Sequence, residues 1–202
     1  MHIALVYFPD VGLDTLDRIR RKYDPTFELI PPHVTVVHPV PGSVGKERLM
    51  EHFEAVLRLW RAFPIRLRGF EKSPDHWLFL KVQEGNVEFV QLFESLYTGP
   101  LAELRRTDLT YRPHVGLGLF VRKHVQYDMG APPRAADLDE TTYRQALKEA
   151  EAEQIDLRTK VSTLHFVELE DEILDWALGV RRELPSGARA HTTAQFDLTG
   201  GV

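Results

Sequence analysis

The chain has 202 residues, with 30 acidic against 25 basic side chains, a net charge of −5 and no cysteine. Disulfides, thiolate nucleophiles and cysteine-held zinc are excluded within it. The acidic balance argues against wrapping long nucleic acid through a phosphate footprint.

His2 to Phe8 is an apolar run of strand formers that Pro9 ends. Asp14 to Tyr23 reads as a helix, with Leu16, Ile19 and Tyr23 at helical spacing. The loop Asp24 to Pro32 leads into a strand from Val34 to Val40, closed by Pro41-Gly42. A second helix runs from Lys46 to Trp60, its stripe made by Leu49, Phe53, Val56, Leu57 and Trp60. Ile65-Arg66-Leu67-Arg68 alternates as a strand, and Asp75 marks the turn into Trp77 to Val82. A helix from Asn86 or Val87 to Tyr97 follows, terminated by Gly99-Pro100. A basic stretch leads to Pro113-His114 and a strand from Val115 to Val121. Beyond the Pro/Gly-rich segment 128–137 comes a helix from Asp139 to Ala152, with Asp139 as its cap. The remaining elements are a strand from Lys160 to Leu169 and another near Asp175 to Arg182; residues 185–202 read as a loose tail.

The order strand, helix, strand, helix, strand thus occurs twice, over about residues 1–75 and 76–182 of one domain spanning 1–184. Two such lobes about a pseudo-twofold axis would bring the Val34 and Val115 strands together. The expected fold is α+β: two pseudo-symmetric lobes with mixed β-sheets lining a central cleft and helices on the outer faces. Parallel as well as antiparallel neighbours are expected, because the long connections contain helices.

Each of those two strands opens on the same phrase. Pro32-His33-Val34-Thr35-Val36 and Pro113-His114-Val115-Gly116-Leu117 place their histidines 81 residues apart, each after a proline that marks a strand start. Side chains two apart share a face, so His33 lies with Thr35 and His114 with Gly116. Paired histidines can divide proton removal and proton donation near neutral pH, and a neighbouring hydroxyl can hold an oxygen on the atom under attack. This suits phosphodiester chemistry without a metal, on a cyclic phosphate whose leaving group stays tethered. Arg112 is a candidate for holding the phosphate, and Tyr111 or Tyr7 for stacking on a base, against core packing for Tyr7 and rim packing for Tyr111. His38 reads as structural; His165 could face the groove, but satisfaction in the core or at an edge is the favoured reading. Arg105, Arg106, Arg112, Arg122 and Lys123 form either a solvated basic loop or a pocket for one phosphate. Asp108 and Glu28 are too dispersed to complete a metal set, and there is no glycine-rich nucleotide loop or serine elbow.

These phrases and the repeat around them resemble the 2H phosphoesterase superfamily, the group of 2′-5′ RNA ligase-like proteins and RNA cyclic phosphodiesterases. That family carries two His-x-Thr/Ser-x motifs at about the separation found here, in two related lobes around a cleft. The motifs fall on His33-Val34-Thr35-Val36 and His114-Val115-Gly116-Leu117, and the resemblance covers about residues 1–182. It implies a metal-independent, cofactor-free enzyme that opens 2′,3′-cyclic or related cyclic phosphates on a small nucleotide or RNA end. The alternatives are a 2′-5′ RNA ligase and a nucleotide or RNA-end binder without catalysis. His114 is assigned as base and His33 as acid, an order that pseudo-symmetry leaves exchangeable. Gly116 departs from the motif. Either a donor is lost, at roughly 3 kcal/mol or about a hundredfold, or room is made for a different substrate held by a backbone N–H or Arg112. An active enzyme with altered substrate preference is expected.

No run approaches the length of a membrane span. The opening Met1-His2-Ile3-Ala4 meets Asp10 without the basic start and unbroken apolar stretch of a signal peptide. A cytoplasmic monomer is the expectation.

Overall fold

A computed structural model describes residues 1–106, 110–122, 137–171, 187 and 189–200 of the protein. The strand expected near Asp175 to Arg182, Pro185, Asp108, Lys123 and most of the Pro/Gly-rich segment lie outside these residues. The strands are β1 (His2–Tyr7), β2 (Val34–Pro41), β3 (Phe63–Lys72), β4 (Trp77–Glu84), β5 (His114–Leu119), β6 (Asp156–Val161), β7 (Thr163–Leu169) and β8 (His191–Asp197). The helices are α1 (Leu13–Tyr23), α2 (Lys46–Leu57), α3 (Asn86–Leu96) and α4 (Glu140–Ala152). Asp139 caps α4 as its sequence suggests, its carboxylate accepting from Thr142 N at 3.1 Å and Thr142 Oγ1 at 2.7 Å.

The fold class is α+β. The strands form one eight-stranded sheet in the order β6-β3-β4-β5-β2-β1-β7-β8. Every pairing in it is antiparallel, where helical connections had suggested some parallel neighbours. The register supplies the reason. Tyr7 at the end of β1 pairs with Val34 at the start of β2, and Lys81 late in β4 pairs with His114 at the start of β5. Each helical connection therefore leaves and returns at the same end of the sheet: the helix takes the chain away and the loop after it brings the chain back.

The strand order has its centre between β5 and β2, with β4 and β1 as their matching neighbours. The third strands cross over. β3 ends the first repeat in sequence yet joins β4 of the second, and β7 of the second joins β1. The expected single strand Lys160 to Leu169 is accordingly two strands divided at Ser162, one in each half of the sheet. The sheet curls, and the far ends meet: Leu198 N donates to Ser162 O, Ala62 N to Leu198 O and Gly200 N to Trp60 O. Residues 191–197, expected to be loose, are β8. Ala194 and Phe196 alternate toward the core, Phe196 meets Phe53 of α2 edge-on at 6.1 Å, and Leu198 is buried.

The main core lies between the sheet and the helices. α1 contributes Leu16 and Ile19, α2 contributes Leu49, Phe53 and Leu57, and α3 contributes Phe89, Leu92 and Leu96. A smaller cluster sits on the opposite face, where Leu29 and Ile30 of the α1–β2 loop cover Ala4, Val6, Val167 and Leu169. That loop is organised by a buried ion pair. Arg20 Nε donates to Asp24 Oδ2 at 2.7 Å, and its Nη2 donates to Ile30 O at 2.7 Å. Among the described residues no helix is long and apolar enough to cross a membrane.

Candidate active site

The two Pro-His phrases meet at the centre of the sheet, where Val34 of β2 pairs with Val115 of β5. Both valines are fully buried on the core side, so the residues flanking them face the other way. Antiparallel continuation from that pair sets Thr35 across from His114 and Gly116 across from His33. Four positions thus share one patch of the groove face: His33, Thr35, His114 and Gly116.

The prolines account for how the rings are held. A residue before proline is confined to extended backbone, which fixes Pro31 before Pro32 and Arg112 before Pro113. Each histidine hydrogen-bonds through Nδ1 to the carbonyl of that residue: His33 to Pro31 O at 2.9 Å, and His114 to Arg112 O at 2.6 Å. A carbonyl can only accept, so Nδ1 carries the proton in both rings. Nε2 is left as the nitrogen that can take or give one.

Both imidazoles are half-buried. Burial pushes the His33 pKa below its ordinary value. The bond to Pro31 opposes this, the nearby Arg20 guanidinium adds to it and Asp24 counters. Burial likewise lowers His114, which is pushed down to about 4, with opposition from the Arg112 carbonyl and from Asp75 and reinforcement from His38 and His33. His33 meets Phe8 edge-on at 6.3 Å, whereas His114 lies stacked on Phe79 with ring centroids 3.4 Å apart.

The other sequence candidates divide. Gly116 lies on the patch with ordinary backbone, and a Cβ added there would lie 3.5 Å from Trp77 Cε3 and Cζ3. Arg112 sits at the rim with its guanidinium on the Glu71 carboxylate. Tyr7 and Tyr111 are corrections. Tyr7 is 3% exposed in the main core, because β1 alternates and it is Val6 and Phe8 that turn to the groove. Tyr111 stacks on Phe93 of α3 at 4.3 Å and donates its hydroxyl to Thr35 O at 2.9 Å, bracing β2 from the helix side. His38 rests edge-on against Tyr111 at 6.5 Å. His165 is on the groove face, packed against Phe8 at 4.9 Å. The basic flank is not an unpaired cluster, since Arg105 pairs with Glu94 and Arg122 donates to Leu138 O. Among the described residues no group of three or more His, Cys, Asp or Glu could hold a metal ion.

Trp77, Phe79 and Phe8 are groove residues that the sequence reading passed over. The signal for the first two was present, since Leu78, Leu80 and Val82 alternate into the core and leave Trp77, Phe79 and Lys81 on the opposite face.

The chain is similar to a Halalkalibacterium halodurans protein named "Putative phosphoesterase", 26% identical over 161 residues, covering 77% of this chain and 84% of that one. A Bacillus licheniformis protein similarly named is 27% identical over 118 residues, 57% of this chain and 69% of its own. The fold matches the crystal structure of TT0787 of Thermus thermophilus (TM-score 0.61, 20% identity, 99% of both chains). It also matches Escherichia coli LigT complexed with 3′-AMP (TM-score 0.59, 12% identity, 98% of both chains). A sequence model of the 2′-5′ RNA ligase superfamily matches residues 8–172. With its two Pro-His strands side by side in this fold, the chain belongs to the 2′-5′ RNA ligase superfamily of 2H phosphoesterases.

Proposed function

We propose that the protein hydrolyses a cyclic phosphodiester, a 2′,3′-cyclic phosphate on a nucleotide or short RNA end, without a metal. The observation carrying this reading is the pair of imidazoles, each tied through Nδ1 to a backbone carbonyl, on either side of Thr35. His114 takes a proton from the attacking water through Nε2. The new P–O bond forms as one ribose P–O bond breaks. His33 then delivers its Nε2 proton to the departing ribose oxygen, leaving a phosphomonoester. Thr35 donates to a non-bridging oxygen as charge builds there. Escherichia coli LigT has been crystallised with 3′-AMP and ATP, and a small nucleotide is the ligand class proposed here.

We assign His114 as the base because a pKa of about 4 leaves it neutral at working pH. A base must be neutral and an acid protonated at working pH. The opposite order would require His114 to hold its proton well above a pKa of about 4. The test is a panel of 2′,3′-cyclic nucleotides and cyclic-ended oligonucleotides in excess chelator. Turnover to a monophosphate is expected. No turnover on any substrate, or turnover abolished by the chelator, overturns the reading. Gly116 favours one second reading, a nucleotide binder without catalysis, for which the same panel would give binding and no product.

A further inference from the structure

The groove face carries an aromatic pair that the reaction above does not use. In the β4–β5 pairing Phe79 stands directly opposite Gly116, and Lys81 opposite His114. The Phe79 ring does not lie over its direct partner. It lies on the diagonal neighbour, stacked on the His114 imidazole at 3.4 Å and 21°. Diagonal partners on a sheet face are within reach of an aromatic side chain. Over Gly116 itself lies the Trp77 ring edge, 3.5 Å from where a Cβ would stand.

His114 is thereby held in two independent ways. The Nδ1 bond to Arg112 O fixes one edge of the ring, but a single hydrogen bond leaves the ring free to tilt about it. A stacked neighbour removes that tilt. Among the described residues the ring contact of His33 is looser, the edge of Phe8 at 6.3 Å. We propose that Phe79 is a positioning residue for His114. The inference rests on the function proposed above for its kinetic consequence, but its structural consequence is independent of turnover.

The charged and titratable groups around His114 are His33 and His38 from the β2 side, Asp75 from the β3–β4 turn, Lys81 across the strand pair, and the Arg112–Glu71 pair at the rim. None of them is altered by a change at Phe79, so a shift in the behaviour of His114 reports the stack itself.

The test compares Phe79→Ala and Phe79→Tyr with the unaltered protein. His114 is titrated by NMR without ligand, and steady-state kinetics are measured on a 2′,3′-cyclic nucleotide. Phe79→Ala admits water to the ring face, so the His114 titration should move up from about 4 toward its ordinary 6.5. Turnover should fall roughly tenfold to a hundredfold from lost aim, with KM little changed. Phe79→Tyr keeps the stacked face and should restore both. An unchanged titration and kcat in Phe79→Ala, a loss confined to KM, or no restoration by tyrosine overturns the proposal. If the alanine variant does not fold, Phe79→Leu keeps apolar bulk without the stacked face; kcat should again fall, and an unchanged kcat overturns the proposal. Absence of turnover in the unaltered protein would remove the proposed reaction and leave the titration to decide the role of Phe79.

Discussion

Replacing Gly116 puts a number on the missing donor. The position has ordinary extended backbone, so an L side chain is not strained there. A Cβ would lie 3.5 Å from the Trp77 ring, an ordinary van der Waals contact. What matters is the next atom. Serine has three staggered wells for its hydroxyl and can choose one that avoids the indole. Threonine fills two of the three, so its γ atoms have far less freedom to leave Trp77 in place. A hydroxyl here stands across from His33, where it can donate to phosphate as Thr35 does across from His114. One such donor contributes up to roughly 3 kcal/mol, about a hundredfold, to turnover; imperfect aim should return only part of that. Gly116→Ser should therefore hold or raise kcat on a small 2′,3′-cyclic nucleotide, by up to about tenfold, and Gly116→Thr should fall below serine. Stability should rise by about 0.5 kcal/mol, because glycine weakens a strand. The assay is steady-state turnover beside a thermal melt. A severe loss with serine on every cyclic phosphate tested, with the melt unchanged, would refute the missing-donor account and make the glycine itself a requirement.

Other consequences are more local. The kcat/KM profile against pH reports the free enzyme: burial lowers both imidazoles, His114 to about 4, so a bell with an acidic optimum is expected. A maximum above pH 7.5 would contradict the assigned roles. Tyr111→Phe removes the donor to Thr35 O and should cost about 1 kcal/mol of stability in denaturant unfolding; an unchanged midpoint would show that the bond is not what holds β2 there. Asp24→Asn removes the nearer of the two carboxylates paired with buried Arg20, leaving Asp17 at 3.5 Å, and should cost up to about 3–5 kcal/mol, a loss that calorimetry would reveal as a large fall in Tm.

The parts of this molecule that could be read in advance are those where local chemistry dictates geometry. Proline at 32 and 113 restrains the residue before it, and that residue's carbonyl holds the histidine after it; both phrases could be recognised before any contact was known. Alternation separated Val34 and Val115 from His33, Thr35 and His114 in the same way. What escaped depends on partners distant in sequence. The crossing of β3 and β7 between halves, and the division of residues 160–169 at Ser162, follow from how the two repeats share one sheet. Nothing within a ten-residue window reports that. β8 is mostly polar and gains its place from three inward positions, Ala194, Phe196 and Leu198. Tyr7 was misplaced by one residue of parity, since only the pairing with β2 decides that Val6 and Phe8 take the groove face.

The central claim is that two histidines form one proton-transfer apparatus. Single-turnover rates on a 2′,3′-cyclic nucleotide in excess chelator, for His33→Ala, His114→Ala and the double variant, test it most directly. Each single change should slow the chemical step by at least about a hundredfold, with the fold intact by circular dichroism. The double change should cost little more than either alone, because the apparatus is already dismantled. Near-normal chemistry in either single variant, or losses that multiply fully in the double, would contradict the account.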